Sequence, residues 1–367
     1  AAGQMISMTT ANGGTWSYKY DKDGRQVSST DPAGGTSTTV YDSTGRTSST
    51  TDARGAETSY AYDGVGNTIQ TKDVLGNSTV MEYDANGNLL SQTDRTGAKT
   101  TYTYDANNRM VSSVDALGQT THYSYDEVGN LISTTTPDGK TENIEYDGKG
   151  QVTASTDKGG HTTKYVYDAA GNVIQTIDAK GNVAAFEYDL MGNLTKVTLH
   201  RVDTQDGVDE YEVTLYEYDG RGLVTKVVDA LGNVTTTEYD GNGNIAKVTD
   251  ADGYVTEYTY NALDMVTHIN YNGGKEVSYQ YNAVGDLVQM DDWTGTNTFE
   301  VDLLNRITAV TNEKGNKVTY EYDATGNQTR VGYPDGTSVT KTYDLVGNLE
   351  SVVESDGRTT TYQYDGM

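Results

Sequence analysis

The chain has 367 residues, a formal net charge of −27 and a mean hydropathy of −0.66. This charge disfavours nucleic acid and anionic membrane surfaces as partners, and no apolar stretch is long enough for a transmembrane helix. Cysteine is absent and 30 residues are Tyr against 2 Phe and 2 Trp, a composition that favours strands and turns over helices.

A Tyr-Asp anchor recurs along the chain with a period of 21 residues, from Tyr20 to Tyr188 and again from Tyr218 to Tyr364. The step from Tyr188 to Tyr218 is 30 residues, and Val301 replaces Tyr after a step of 20. Periodicity of this kind indicates a repeat protein, in which one supersecondary unit is copied and stacked. The sequence therefore predicts a single array over 1–367, with partial repeats at 1–19 and 364–367 and full repeats over 20–363.

The repeat beginning at Tyr83 contains two Asp-x-x-Gly signals, which are Asp84 to Gly87, the first turn, and Asp94 to Gly97, the second turn. Asp suits the first position of a type I turn, and the Gly then supplies a positive φ. The last position of the first turn is Gly at 14 of 17 occurrences, and the last position of the second turn is Gly at all 17 if Gly207 fills the place in the enlarged repeat. The exceptions in the first turn are Asn108, Asp264 and Asn305, and the second-turn glycines include Gly118 and Gly232.

The segments between the turns are predicted strands, and the second alternates so that Tyr102 and Tyr104 share a face. In all, 26 of the 30 Tyr occupy these two repeat positions, as Tyr123 and Tyr125 do one repeat later. The expected fold is all-β, a long antiparallel meander of hairpins coiled into a spiral ribbon or part of a hollow β-shell. One face is expected to carry ladders of Tyr and Thr, in which each aromatic cross-strand pair stabilises the sheet by about 0.2–1 kcal/mol. A parallel β-solenoid with calcium in its turns is the competing architecture.

The segment 195–216 carries nine extra residues around Asp206-Gly207 and predicts an enlarged hairpin. The extra residues are either the result of neutral sequence drift in a loop or a contact point for a neighbouring domain.

The recurring motif Tyr-Asp-x-x-Gly-Asn-x-x-x-x-x-Asp-x-x-Gly-x-x-Thr-x-Tyr resembles the YD-repeat, or RHS, family of bacterial RHS proteins, wall-associated proteins, insecticidal toxin C subunits and animal teneurins. The resemblance covers essentially the whole chain. It implies a β-sheet that spirals into a hollow shell, which in bacterial members encloses a C-terminal toxin domain. The Pro-rich core module that plugs bacterial shells is not recognisable, and neither are a toxin domain and a delivery domain, so the chain is expected to be a section of a longer protein. The expected partners are the remaining parts of that polypeptide, its toxin and plug domains.

No catalytic or metal-binding set stands out, since His122, His161, His200 and His268 occupy different repeat positions. No enzyme activity, cofactor or metal is therefore predicted, and calcium at the turn aspartates is only an alternative. The expected function is a structural array in the shell of a secreted or cell-surface bacterial toxin, and the rival is a carbohydrate-binding or adhesive module that uses the Tyr ladders. The array is expected to be an open, curved ribbon and not a sealed container.

Overall fold

The computed structural model describes residues 3–201 and 210–364, and every regular element in these ranges is a β-strand. The strands belong to one 34-stranded antiparallel sheet, so the predicted all-β hairpin array is confirmed. The strands are β1 Ser7–Thr9, β2 Thr15–Tyr20, β3 Gln26–Thr30, β4 Thr36–Tyr41, β5 Thr47–Thr51, β6 Glu57–Tyr62, β7 Thr68–Lys72, β8 Ser78–Tyr83, β9 Leu89–Thr93, β10 Lys99–Tyr104, β11 Met110–Val114, β12 Thr120–Tyr125, β13 Leu131–Thr135, β14 Thr141–Tyr146, β15 Val152–Thr156, β16 Thr162–Tyr167, β17 Val173–Ile177, β18 Val183–Tyr188, β19 Leu194–Arg201, β20 Glu210–Tyr218, β21 Val224–Val228, β22 Val234–Tyr239, β23 Ile245–Thr249, β24 Val255–Tyr260, β25 Val266–Tyr271, β26 Lys275–Tyr281, β27 Leu287–Asp292, β28 Gly295–Val301, β29 Ile307–Thr311, β30 Lys317–Tyr322, β31 Gln328–Gly332, β32 Ser338–Tyr343, β33 Leu349–Glu354 and β34 Thr359–Thr361.

The register of one repeat is typical of the others. Strands β9 and β10 pair across the second turn without a break, with Lys99 opposite Thr93. Strands β8 and β9 pair across the first turn, where the register shifts so that Tyr83 lies opposite Leu89 and Glu82 opposite Ser91. The residue between these two pairs is a β-bulge, which raises the local twist of the strands. The bulge recurs once per repeat, so the twist accumulates along the array.

The sheet has a thin core. Among the described residues the buried hydrophobic side chains are small or medium in size, namely Ala98, Ala154, Val277 and Ala309, and no side chain is fully buried. The repeat tyrosines from Tyr18 to Tyr343 are half-buried. Stability must therefore come from contacts between neighbouring hairpins more than from a central core, as in other repeat proteins.

The chain divides into two compact units. Unit 1 comprises Ala1–Tyr102, Val114–Gly118 and Glu257–Asp365, and unit 2 comprises Thr103–Ser113, Gln119–Thr256 and Gly366–Met367. The organisation as a single repeat array stays a prediction.

Within unit 1, hairpins that are far apart in sequence meet through their turns. Asn12 donates from Nδ2 to Oδ1 of Asp264 at 3.5 Å, across 252 residues, and Arg54 is ion-paired with Asp286. We call this line of turn-to-turn contacts, between second turns of residues 10–56 and first turns of residues 261–306, the seam. The ribbon therefore passes beside itself within this unit.

The enlarged hairpin consists of β19 and β20, which pair from Lys196 opposite Leu215 to Arg201 opposite Glu210. This pairing confirms a longer hairpin at the insertion. Its tip, with Asp206 and Gly207, lies outside the described residues, and its role as a contact point stays a prediction.

Candidate functional site: the tyrosine, aspartate and glycine positions of the repeat

The aspartate of the first turn organises the turn backbone. Oδ1 of Asp84 accepts hydrogen bonds from the backbone N–H groups of Asn86 and Asn88 at 2.9 and 2.8 Å, and Oδ2 accepts one from Nδ2 of Asn88 at 2.8 Å. The Gly87 N–H donates to the Asp84 carbonyl at 3.1 Å, which closes the turn. The hydrogen bonds from the Asn88 side chain and backbone hold the pKa of Asp84 below its ordinary value of 3.8. The carboxylate is thus ionised at neutral pH, and both of its oxygens accept hydrogen bonds from residues of its own turn.

The second turn has the same construction. Oδ1 of Asp94 accepts from the N–H groups of Thr96 and Ala98 at 2.8 and 2.9 Å and from the Thr96 hydroxyl at 2.7 Å. These bonds account for the aspartate without a bound ion. Among the described residues no group of three or more His, Asp or Glu side chains could hold a metal ion.

The last residue of each turn lies in the left-handed region. The φ angles are +84° at Gly87, +91° at Gly97, +81° at Gly118 and +84° at Gly232. The three non-glycine residues predicted at this position adopt it too, with φ of 61° at Asn108, 58° at Asp264 and 62° at Asn305. All seven of these residues therefore have the positive φ that the turns require.

The anchor tyrosine fastens three successive strands. Tyr125 ends β12, its backbone pairs with Leu131 of β13, and its hydroxyl donates to the carbonyl of Met110 in β11 at 2.8 Å. The same bond, 2.7–3.0 Å long and spanning 15 residues, joins Tyr20 to Met5, Tyr41 to Gln26, Tyr62 to Thr47, Tyr146 to Leu131, Tyr167 to Val152, Tyr188 to Val173, Tyr239 to Val224, Tyr281 to Val266, Tyr322 to Ile307, Tyr343 to Gln328 and Tyr364 to Leu349. The enlarged hairpin keeps this bond, between Tyr218 and Leu194 across 24 residues. Its retention across an insertion indicates that the hydroxyl serves the fold.

One of the predicted anchor tyrosines departs from this pattern. The hydroxyl of Tyr83 points to Sδ of Met81 at 3.7 Å, in the same strand. Tyr102 and Tyr104 are half-buried at the end of β10, on the face that the sequence assigned to them.

The expected aromatic cross-strand pairs are wrong. Among the described residues the ring–ring contacts are His200 with Tyr211 and Tyr271 with Trp293, and neither joins two anchor tyrosines. The reason is the register. Both tyrosines of a repeat lie on the same strand, and their cross-strand neighbours are residues such as Thr134, opposite Tyr123.

Arginine takes the place of the missing aromatic partner in several repeats. The guanidinium of Arg109 lies 5.0 Å from the ring centre of Tyr125, donates to Oδ2 of Asp105 at 2.7 Å and donates to the carbonyl of Asp126 at 2.9 Å. It therefore links two consecutive first turns. The equivalent ring contacts are Arg25 over Tyr41, Arg46 over Tyr62 and Arg306 over Tyr322. The sequence signal for this role is an arginine directly after the last residue of the first turn, which a prediction from the Tyr, Asp and Gly positions alone misses.

The remaining polar groups are dispersed. His161 lies 3.2 Å from Asp157 in its own turn, and His268 faces Ser278 across a strand pair at 3.1 Å. A surface cleft within unit 2, of about 800 Å³, is lined by turn and strand residues of neighbouring repeats, among them Val128, Ile132 and Tyr146. No helix in the described residues has the length and apolar character to cross a membrane.

Two family models match the chain. The model for the teneurin YD-shell matches residues 1–121 and 37–206, and the model for the RHS repeat matches residues 218–253, 239–276, 302–338 and 343–367. A search of curated proteins found no match.

Several solved structures share the fold. The crystal structure of TcdB2-TccC3-Cdc42 aligns with a TM-score of 0.67 at 16% identity, over 95% of this chain and 22% of that chain. The Tc holotoxin pore of Photorhabdus luminescens with the TccC3 mutation D651A aligns equally well, with a TM-score of 0.67 at 16% identity over 95% and 22%. TcdB2-TccC3 without its hypervariable C-terminal region aligns with a TM-score of 0.64 at 14% identity, over 95% and 26%. The chain thus spans about a quarter of the length of these proteins or less.

Proposed function

The chain belongs to the YD-repeat family of teneurin-shell and RHS repeats, and on that premise we propose that it is a section of the wall of a β-shell. The shell is part of a secreted bacterial RHS or wall-associated polymorphic toxin, and it encloses or presents a C-terminal effector. The wall is a scaffold without catalytic activity.

The tyrosine hydroxyl bonds are the observation that carries this proposal. Each bond ties the end of one strand to the start of the strand before it, as between Tyr125 and Met110. The carboxylates of the turn aspartates likewise accept hydrogen bonds from the backbone N–H groups of their own turns. The most regular side chains of the repeat are therefore used to hold the sheet together, which is what a wall requires and a ligand site does not.

The partners of the wall are the other parts of the parent polypeptide, its toxin and plug domains. The structures that align with this chain name TcdB2 together with TccC3, and the aligned chains are much longer than this one. The protein is placed outside the cytoplasm, secreted or at the cell surface, because an effector shell acts after export.

The proposal is tested by protease access in the full-length polypeptide that carries these repeats. The segment that follows the repeats should resist added protease under native conditions. It should become sensitive when the wall is opened with denaturant. Cleavage at the same rate before and after opening would contradict enclosure.

Carbohydrate binding is the rival function. Tyr rings stack on sugars when they stand exposed, but the repeat tyrosines from Tyr18 to Tyr343 are half-buried, and most anchor hydroxyls donate to backbone carbonyls. Binding to a glycan array that is lost on changing Tyr165 and Tyr167 to Ala, in a variant that stays folded, would favour the rival over the wall.

A further inference from the structure

The seam of unit 1 brings backbones unusually close. A Cβ on Gly14 would lie 2.7 Å from the carbonyl oxygen of Ala262, and a Cβ on Gly35 would lie 3.1 Å from that of Ala283. These glycines directly follow the second turns of two consecutive hairpins, and Ala262 and Ala283 lie in two consecutive first turns. Two consecutive hairpins of the first stretch therefore come close to two consecutive hairpins of the second.

Such a seam has a register problem. Consecutive hairpins present four-residue turns that all end in a residue with a positive φ, so a shift by one repeat would bring similar backbone surfaces together. Sheets with weakly distinguished registers are prone to slip. A contact that occurs at one place only is needed to select one alignment.

One ion pair meets this need. The Nε of Arg54 donates to Oδ1 and Oδ2 of Asp286 at 3.0 and 3.2 Å, and NH2 of Arg54 lies 3.0 Å from Oδ1. The Asp286 side chain is 5% exposed and that of Arg54 is 21% exposed. Asp52 holds the guanidinium from the other side, accepting from NH1 at 2.8 Å.

The sequence around Asp286 is altered to supply this carboxylate. The first turn normally has Asp at its start and often Asn after its end, and Nδ2 of Asn88 donates to Oδ2 of Asp84 at 2.8 Å. Here the two residues are exchanged, and Nδ2 of Asn282 donates to Oδ2 of Asp286 at 3.0 Å. Asp286 is the single Asp that directly follows a first turn among the 17 first turns of the sequence. The exchange keeps the hydrogen bond of the turn and moves the carboxylate to where Arg54 reaches it.

Asp286 is ionised at neutral pH. Burial raises its pKa, but the hydrogen bonds from Arg54 and Asn282 outweigh burial and hold that pKa below its ordinary value of 3.8.

We propose that the Arg54–Asp286 pair sets the register of the seam, so that each hairpin of the N-terminal stretch of unit 1 meets one defined hairpin of the C-terminal stretch. Removing one partner of a buried pair leaves the other charge uncompensated, which is why such a pair can select one arrangement. The proposal concerns the wall alone and holds whether or not an effector is enclosed.

Engineered cysteines test the register, because the chain contains no Cys. Ala33→Cys with Ala283→Cys reports the observed alignment, since Ala33 lies in the second turn just before Gly35, whose Cβ would lie 3.1 Å from the Ala283 carbonyl oxygen. Ala33→Cys with Ala262→Cys reports a slip of one repeat. Each pair is oxidised mildly with copper phenanthroline, and the two disulfide yields are compared with and without the ion pair.

With the native pair present, the first disulfide should exceed the second by about tenfold or more. Arg54→Gln or Asp286→Asn should remove that preference, either by raising the slipped disulfide or by lowering the observed one. The reversed pair, Arg54→Asp with Asp286→Arg, should restore it. Both new residues are native to their repeat positions, as Asp252 and Arg109 show.

Arg95→Gln is the matched control, because Arg95 is also a second-turn arginine but pairs with Asp73 of the neighbouring repeat at 3.3 Å. It should leave the disulfide ratio unchanged. Circular dichroism of every variant checks that the sheet persists. If Arg54→Gln and Asp286→Asn stay folded and keep the native disulfide ratio, the proposal is overturned.

Discussion

At the scale of the residue, the repeat is governed by the backbone geometry of its turns. A positive φ at the last position of each turn and, in most turns, an Asp carboxylate at the first position accompany the two chain reversals of each 21-residue repeat. The three exceptions to glycine, Asn108, Asp264 and Asn305, are the residue types that tolerate this conformation best. The turns could therefore be predicted from sequence alone.

Gly118→Val should destabilise the protein by about 1–2 kcal/mol, because an L-residue in the left-handed region carries that cost. No heavy atom lies within 4 Å of a Cβ at this position, so the effect comes from the backbone and not from a clash. Gly118→Asn should cost clearly less, since Asn108 adopts the same region in the native chain. Chemical unfolding measures both variants, and equal stability of Gly118→Val and the native protein would refute the turn assignment.

Acid should destabilise the fold through the turn aspartates. Hydrogen bonds from the backbone N–H groups of Gln151 and Lys149 lower the pKa of Asp147 below 3.8, and many other first-turn aspartates shift in the same direction. The unfolded chain then binds protons first, so the stabilisation is present above about pH 4 and is lost as the pH falls through the folded pKa values. Relief of repulsion among the excess negative charges acts in the opposite direction.

Unfolding free energies between pH 6 and pH 3 decide which effect dominates. We expect the unfolding free energy to decrease as the pH is lowered. The Asp147→Asn variant should lose less unfolding free energy over this range than the native protein. Asn261 shows that Asn can make the same two backbone bonds, to the N–H groups of Leu263 and Met265 at 2.9 and 3.1 Å. A rise in stability on acidification would mean that charge repulsion outweighs the turn hydrogen bonds.

At the scale of the element, the sequence predicts each hairpin but not the tyrosine hydroxyl bonds that join its strands. Two turn signals and a strand of alternating residues define each hairpin locally. The partner of a tyrosine hydroxyl is a backbone carbonyl on another strand, as Met110 is for Tyr125, and a carbonyl carries no sequence signal. The expectation of paired aromatic rings failed for this reason, because it ignored which strands bear the tyrosines.

Tyr125→Phe isolates the fastening bond. The change removes the hydroxyl donor to the Met110 carbonyl but keeps the ring beneath Arg109. The unfolding free energy should fall by about 0.5–1.5 kcal/mol. Tyr254→Phe is the control, because Tyr254 lies outside the two repeat positions and is 56% exposed, and it should have little effect. Equal effects of the two changes would show that the hydroxyl bond contributes nothing specific.

At the scale of the whole molecule, repetition and net charge were readable from the sequence, and the seam was not. The seam joins residues 232 and 252 apart, and its partners depend on how many hairpins the ribbon needs to pass beside itself. Twist per hairpin sets that number, and twist cannot be read from turn motifs. The exchange of Asp and Asn at positions 282 and 286 is visible in the sequence. Its role could not be predicted, because the sequence does not show that Arg54 lies beside Asp286.

The charge of −27 should oppose association of the isolated chain. Screening shortens the range of this repulsion from about 30 Å at 0.01 M salt to about 3 Å at 1 M salt. Sedimentation velocity should therefore show a monomer at low salt and growing association through exposed strand edges as salt rises. Association that weakens with salt would point instead to contacts between opposite charges.

Electron cryo-microscopy of the full-length protein would show whether these hairpins form a wall around other parts of their polypeptide. We expect a single layer of β-hairpins that lines a cavity, with density for the enclosed segment inside it and the Arg54–Asp286 contact in the wall. Hairpins that extend freely into solvent, with no enclosed density beside them, would show that the repeats do not form such a wall.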